Sequence, residues 1–122
     1  MKATTEILPD FLASRLDALQ AHCRKYKVKY LWAIGSVLTK NFRNDSDIDL
    51  VYDLDRPSIS DEEYLSVLDG FISGLLVLFS GRKIDLIHYP SLRNPYFIEE
   101  VNETKVILYE QRRVEQMLNE QA

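Results

Sequence analysis

The sequence is poor in cysteine. A single thiol, Cys23, in 122 residues allows neither an intrachain disulfide nor a multi-cysteine zinc site. It sits among helix-forming residues, and a small buried side chain is its expected role. Glycine and proline number four each, and no internal repeat, low-complexity stretch or linker is visible. Long apolar runs are missing as well. The longest, Gly70 to Phe79, is interrupted by Ser73 and Gly74 and is too short to cross about 30 Å of hydrocarbon as a helix. The opening MKATTEILPDF has no sustained apolar core of the kind a secretory signal needs. A soluble cytoplasmic protein with no membrane partner is therefore expected. Positive charge is not in excess either: 15 Lys and Arg against 19 Asp and Glu give a net charge of -4. The whole chain thus offers phosphate no attraction, and direct nucleic-acid binding is not expected.

What is present is enough apolar material, 46% of residues, to bury roughly two-thirds of the unfolded surface of one domain. That domain is taken to span residues 1–122. The length excludes a TIM barrel or a full dinucleotide-binding fold. Leu12, Leu16, Leu19, Cys23 and Tyr26 recur at intervals of three or four and predict a helix from about Pro9 to Tyr26. Val28 to Ile34 reads as a core strand that stops at Gly35. Ser36 to Asn41 reads as a short helix. Ile48 to Leu54 is a second strand. Ser60 and Glu63 have capping-box spacing ahead of a long helix from about Asp61 to Phe79. Gly70 and Gly74 weaken that helix, and close packing against the sheet is their expected compensation. Lys83 to Tyr89 is a third strand, and Asn94-Pro95 opens a helix to about Val101. Val106 to Tyr109 is either extended or part of the tail. Glu110 to Glu120 reads as a polar helix whose stripe Val114, Met117 and Leu118 packs on its own domain or on a partner. The order implies an α/β layer architecture, α+β in some schemes, with a small sheet covered by helices.

Two features carry chemistry. Strict alternation puts Asp47, Asp49, Val51 and Asp53 on one side of the second strand, opposite Ile48, Leu50, Tyr52 and Leu54. An edge strand with an acidic solvent face would explain this without any site. However, residues two apart on a strand point the same way, so Asp47 and Asp49 can converge on one metal ion, and Asp85 from the third strand can complete an oxygen-rich set for a hard divalent cation. Gly35-Ser36 follows the first strand directly. Glycine there permits a tight turn, the next residues present backbone N–H groups to a phosphate, and Ser36 adds a hydroxyl.

The stretch from Gly35-Ser36 through Asp45-Ser46-Asp47-Ile48-Asp49-Leu50, with Asp85 in Lys83-Ile84-Asp85-Leu86, resembles the nucleotidyltransferase signature of the DNA polymerase beta superfamily. It is most similar to the minimal nucleotidyltransferases, and the resemblance covers about Pro9 to Tyr109. It implies a nucleotidyltransferase fold with a small mixed sheet. It also implies Asp47, Asp49 and Asp85 as catalytic metal ligands for Mg²⁺ or Mn²⁺, ATP as substrate, and Gly35 and Ser36 on the outer phosphates. Two departures matter. Many members carry an arginine directly after the Gly-Ser pair, where this chain has Val37, and a glycine beside a basic residue further on, where it has Thr39-Lys40. Valine cannot replace a guanidinium's bidentate fork. Lys40 and Arg43 are the candidates to compensate as point charges in nucleotide binding.

For members of this size the resemblance implies the antitoxin half of a pair whose toxin is a HEPN-family ribonuclease, with AMP moved from ATP to a toxin tyrosine. A catalytically inactive antitoxin that acts through binding is one alternative. A small-molecule nucleotidyltransferase, its acceptor pocket formed between protomers of a homo-oligomer, is the other. His22 is expected on a helix surface and His88 on a strand, neither at zinc-ligand spacing. Asp53 and Asp55 are expected to keep a sheet edge soluble. Trp32, Tyr30, Tyr52 and Phe71 are read as core aromatics. Lys25, Lys27 and Lys29 are read as a solvated helix end and strand start.

Overall fold

The structure, a computed structural model, describes residues 8–38 and 46–111. Its elements are α1 (Asp10–Ala13), α2 (Leu16–Lys25), β1 (Val28–Ile34), a 3-10 turn (Gly35–Leu38), β2 (Ile48–Leu54), α3 (Tyr64–Leu78), β3 (Ile84–His88), α4 (Pro95–Thr104) and β4 (Val106–Glu110). The strands form one mixed sheet in the order β3-β2-β1-β4. β1 runs antiparallel to β2 and β4, and β2 runs parallel to β3. The parallel pair is joined by α3, the crossover helix that such a connection requires. Helices on a mixed sheet of this kind make an α+β fold.

Both faces of the sheet are covered. On the first, Leu31, Ala33, Ile48, Leu50, Tyr52 and Leu54 pack with Leu12, Leu19, Cys23, Phe71, Leu75 and Phe79 of the helices. Burial pushes the Cys23 thiol up to about 12, which keeps it protonated and makes it the packing residue its context predicts. On the second face Trp32, Ile34 and Val51 pack with Val101 of α4, with Tyr30 and Phe97 alongside. The four aromatics named above therefore all serve the two cores. The alternation along β2 holds, since Ile48, Leu50, Tyr52 and Leu54 face one way and Val51 the other.

Local structure departs from expectation in several places. The first helix is two helices. At the break Arg15 N–H bonds to Leu12 O at 3.1 Å, a tightened turn, and the Arg15 side chain donates to Phe11 O at 2.9 Å and Leu78 O at 3.2 Å. The guanidinium thus satisfies carbonyls at two helix ends. β2 is an inner strand flanked by β1 and β3, so a solvated sheet edge does not account for its acids, Asp53 included. Gly70 and Gly74 pack on α2 rather than on the sheet. A Cβ on Gly70 would lie 2.2 Å from Tyr26 Cε1, and one on Gly74 would lie 1.9 Å from His22 Cε1. His22 is accordingly half-buried, donates from Nε2 to Phe71 O at 2.8 Å and stacks near the Phe71 ring.

The helix starts follow their local chemistry. Ser60 N–H donates to Glu63 Oε1 at 3.2 Å and Glu63 N–H to Ser60 Oγ at 3.3 Å, the reciprocal capping box. Lys27 Nζ, 3.0 Å from the same Glu63 oxygen, ties the end of α2 to this box and so is not simply solvated. Asn94 Oδ1 accepts from Tyr96 and Phe97 N–H at 2.9 and 3.3 Å ahead of α4. Val106 to Tyr109 takes the extended alternative. Glu110 ends β4, and the stripe Val114, Met117 and Leu118 lies outside the described residues.

Candidate active site

The antiparallel β1–β2 ladder pairs Ile34 with Asp49, so the turn that leaves β1 begins beside that carboxylate. Gly35 has φ +75, and a Cβ on it would stand 2.6 Å from Asp49 Oδ2. Two constraints therefore select glycine, a left-handed backbone and a carboxylate where a side chain would go. The turn continues as a 3-10 helix through Ser36 to Leu38. Val37 is buried in the main core at 1% exposure, so the position directly after the Gly-Ser pair is given to packing. Lys40 and Arg43, with the rest of the expected short helix, lie outside the described residues.

The parallel β2–β3 ladder sets Ile48 against Ile84 and Asp49 against Asp85 in register. It extends one residue back, where Ile48 N–H donates to Lys83 O at 2.9 Å. Asp47 and Asp49 share a face by their spacing of two, as do Lys83 and Asp85. Four charged side chains thus meet on the second face of the sheet at the end of β1. Lys83 Nζ stands 3.8 Å from Asp47 Oδ2 and 4.0 Å from Asp85 Oδ1. Burial, then a hydrogen bond with Asp85 and the charges of Asp85 and Asp47, raise the Asp49 carboxyl above its ordinary range, while Lys83 pulls it down. A carboxyl that titrates high and bonds to a second carboxyl is a pair that gains from an added cation.

The donor set fits a divalent ion: acidic oxygens from two adjacent strands, next to a glycine that leaves the space beside Asp49 clear. As the side chains stand, with Lys83 lying between two of the acids, no group of three or more His, Cys, Asp or Glu among the described residues is placed to hold a metal ion. The strands supply an open platform on which the Lys83 ammonium holds the position of a cation between two acids. Lys83 has no role in the sequence-based reading. Alternation places it on the same side as Asp85, but only the β2–β3 register puts it against Asp47.

Other candidates fall elsewhere. Asp53 lies at the far end of β2, where burial raises its carboxyl, and it lines a small cavity with Arg56, Tyr64 and His88. Asp55 accepts a hydrogen bond from Ser58 Oγ at 2.6 Å. His88 Nδ1 shares a 2.6 Å hydrogen bond with Ser91 Oγ. Among the described residues no helix is long and apolar enough to cross a membrane.

Comparison with known proteins bears on the family and the fold. The family model described as "Polymerase beta, Nucleotidyltransferase" matches residues 17–114. Two proteins of Methanocaldococcus jannaschii, MJ1379 and MJ1217, are provisionally assigned as protein adenylyltransferases. The first is 35% identical over 82 residues, 65% of this chain and 75% of its own. The second is 34% identical over 84 residues, 69% of this chain and 80% of its own. Among solved structures, a provisionally assigned minimal nucleotidyltransferase superposes with a TM-score of 0.62 at 23% identity, covering 80% of this chain and 92% of that one. A toxin–antitoxin structure with AMP-PNP superposes at 0.53 and 14% identity, covering 84% and 78%; at these identities both likenesses speak for the fold alone. The chain belongs to the polymerase beta nucleotidyltransferase family.

Proposed function

We propose that this chain is a metal-dependent protein adenylyltransferase that moves AMP from ATP to a tyrosine hydroxyl of a HEPN-type ribonuclease toxin and thereby acts as its antitoxin. The observation that carries the reading is the meeting of Asp47, Asp49 and Asp85 on adjacent strands beside the Gly35 turn. Support for a protein acceptor comes from the two relatives assigned as protein adenylyltransferases. Support for the antitoxin role comes from the toxin–antitoxin neighbour and from the resemblance to minimal nucleotidyltransferases.

In this reading Asp47, Asp49 and Asp85 hold Mg²⁺ or Mn²⁺, which when bound supplies charge neutralisation for the triphosphate and the leaving pyrophosphate. The Gly35-Ser36 turn orients the outer phosphates through its backbone N–H groups, and Lys40 and Arg43 contribute positive charge. Asp85 accepts the proton of the incoming hydroxyl on a carboxylate oxygen. The hydroxyl oxygen bonds to the α-phosphorus, the bond from that phosphorus to the bridging oxygen breaks, and pyrophosphate departs with the electron pair.

The test is incubation with α-labelled ATP, Mg²⁺ and the product of the adjacent gene as the candidate toxin. Label on the toxin that disappears with Asp47→Ala is expected; complex formation without any transfer would overturn the enzymatic reading. One observation favours a second reading. Val37 is a core residue where the resemblance implies an arginine donor, which suits an antitoxin that neutralises by binding. It predicts that the Asp47→Ala, Asp49→Ala double variant neutralises as well as the parent.

A further inference from the structure

Among the described residues the Lys83 ammonium reaches into the patch that holds the acids. Parallel in-register pairing puts Lys83 level with Asp47 and Asp85 level with Asp49, so three negative side chains and one positive one occupy the corners of a single patch. The ammonium spans two of them, at 3.8 Å to Asp47 Oδ2 and 4.0 Å to Asp85 Oδ1. Its side chain is 71% exposed, against 43% for Asp47 and 46% for Asp85. The lysine is therefore held by charge and not by packing, and it can withdraw into water without uncovering any core. A guanidinium at this place would make a bidentate fork with a carboxylate; an ammonium on a four-carbon stem makes point contacts that are easily exchanged.

We propose that Lys83 is a tethered counter-cation of this site: it screens Asp47 and Asp85 when no divalent ion is bound, has to leave before one can bind, and so sets the affinity for metal. The inference rests on the reading of Asp47, Asp49 and Asp85 as metal ligands. Its physical content is competition. Without a local positive charge the three acids would repel one another, so the lysine keeps the free site together, and the same attraction opposes the incoming ion. Lysine suits this role because its attraction is strong enough to occupy the patch and weak enough to yield to a doubly charged ion.

The experiment is direct binding of Mn²⁺, without nucleotide, followed by loss of the free-ion electron paramagnetic resonance signal. It compares the parent protein with Lys83→Met, Lys83→Gln and Lys83→Arg, folding being checked by circular dichroism. Removal of the charge in the Met and Gln variants should tighten Mn²⁺ binding about three- to tenfold, the factor two partly exposed ion pairs supply. The gain should shrink as salt is raised. Lys83→Arg, which keeps the charge and adds the fork, should bind no more tightly than the parent. Unchanged or weaker binding in both neutral variants, with the parent binding normally, overturns the counter-cation role and leaves the metal site standing. If neither the parent nor the neutral variants bind Mn²⁺, the metal-site reading fails and this inference fails with it.

Discussion

The two faces of the sheet are built to different ends. On the first, every inward position of β2 is apolar, and α2 and α3 seal it with Leu19, Cys23, Phe71 and Leu75, all fully buried. On the second, Val101 of α4 packs with Trp32, Ile34 and Val51. Toward the Gly35 turn the same strands carry Asp49 and Asp85, half-exposed and side by side. One face spends its side chains on stability. The other leaves a row of carboxylates that repel one another, which a purely structural face would not keep. The candidate site thus sits on strands whose opposite side is packed against α2 and α3.

Substitutions on the two faces should therefore separate. The largest loss of stability is expected from Phe71→Ala, which empties a site at 0% exposure and takes away the ring that stacks with His22 and meets Tyr52. A cost of about 3–5 kcal/mol is expected in urea unfolding, with metal binding per folded molecule unchanged. A loss of metal binding out of proportion to unfolding would break the separation between the faces.

A smaller effect of opposite sign is expected from Asp49→Asn on the second face. Asp49 titrates above its ordinary 3.8 in the folded protein. The parent therefore has its full contribution from this group below that value and loses it as pH rises through the raised folded value. The amide has no such loss. Metal-free Asp49→Asn should melt slightly higher than the parent at pH 7, and the gap should close below about pH 4, as followed by thermal melts across pH. A variant less stable than the parent at pH 7 would mean that the acids do not burden the fold.

Much of this division was legible from residue order alone. The β-branched and aromatic runs mark β1 and β2, strict alternation puts Asp47 and Asp49 on one side of β2, and Ser60 with Glu63 announces α3. Register was not legible, because alternation within a strand says nothing about which residue stands opposite. That is why the acids of β2 admit an edge-strand explanation from sequence, and why only the pairing of β3 with β2 brings Lys83 to Asp47. Sequence alone predicts that the two glycines of α3 meet the sheet. They meet α2, because Tyr26 and His22 lie across them, a contact that depends on how two helices cross rather than on either helix's own periodicity. The break at Arg15 was hidden for a similar reason: Leu12, Leu16 and Leu19 keep helical spacing through it, while the bond from Arg15 to Leu78 O joins residues far apart in the chain.

In the proposed function, carboxylates from β2 and β3 act on one metal–nucleotide complex. The most direct test of this is Mn²⁺ binding in the presence of AMP-PNP, compared among the parent, Asp47→Asn and Asp85→Asn. Saturable binding that either substitution, on one strand or the other, weakens at least tenfold is the predicted result. Saturable binding that survives Asp85→Asn unchanged would contradict it.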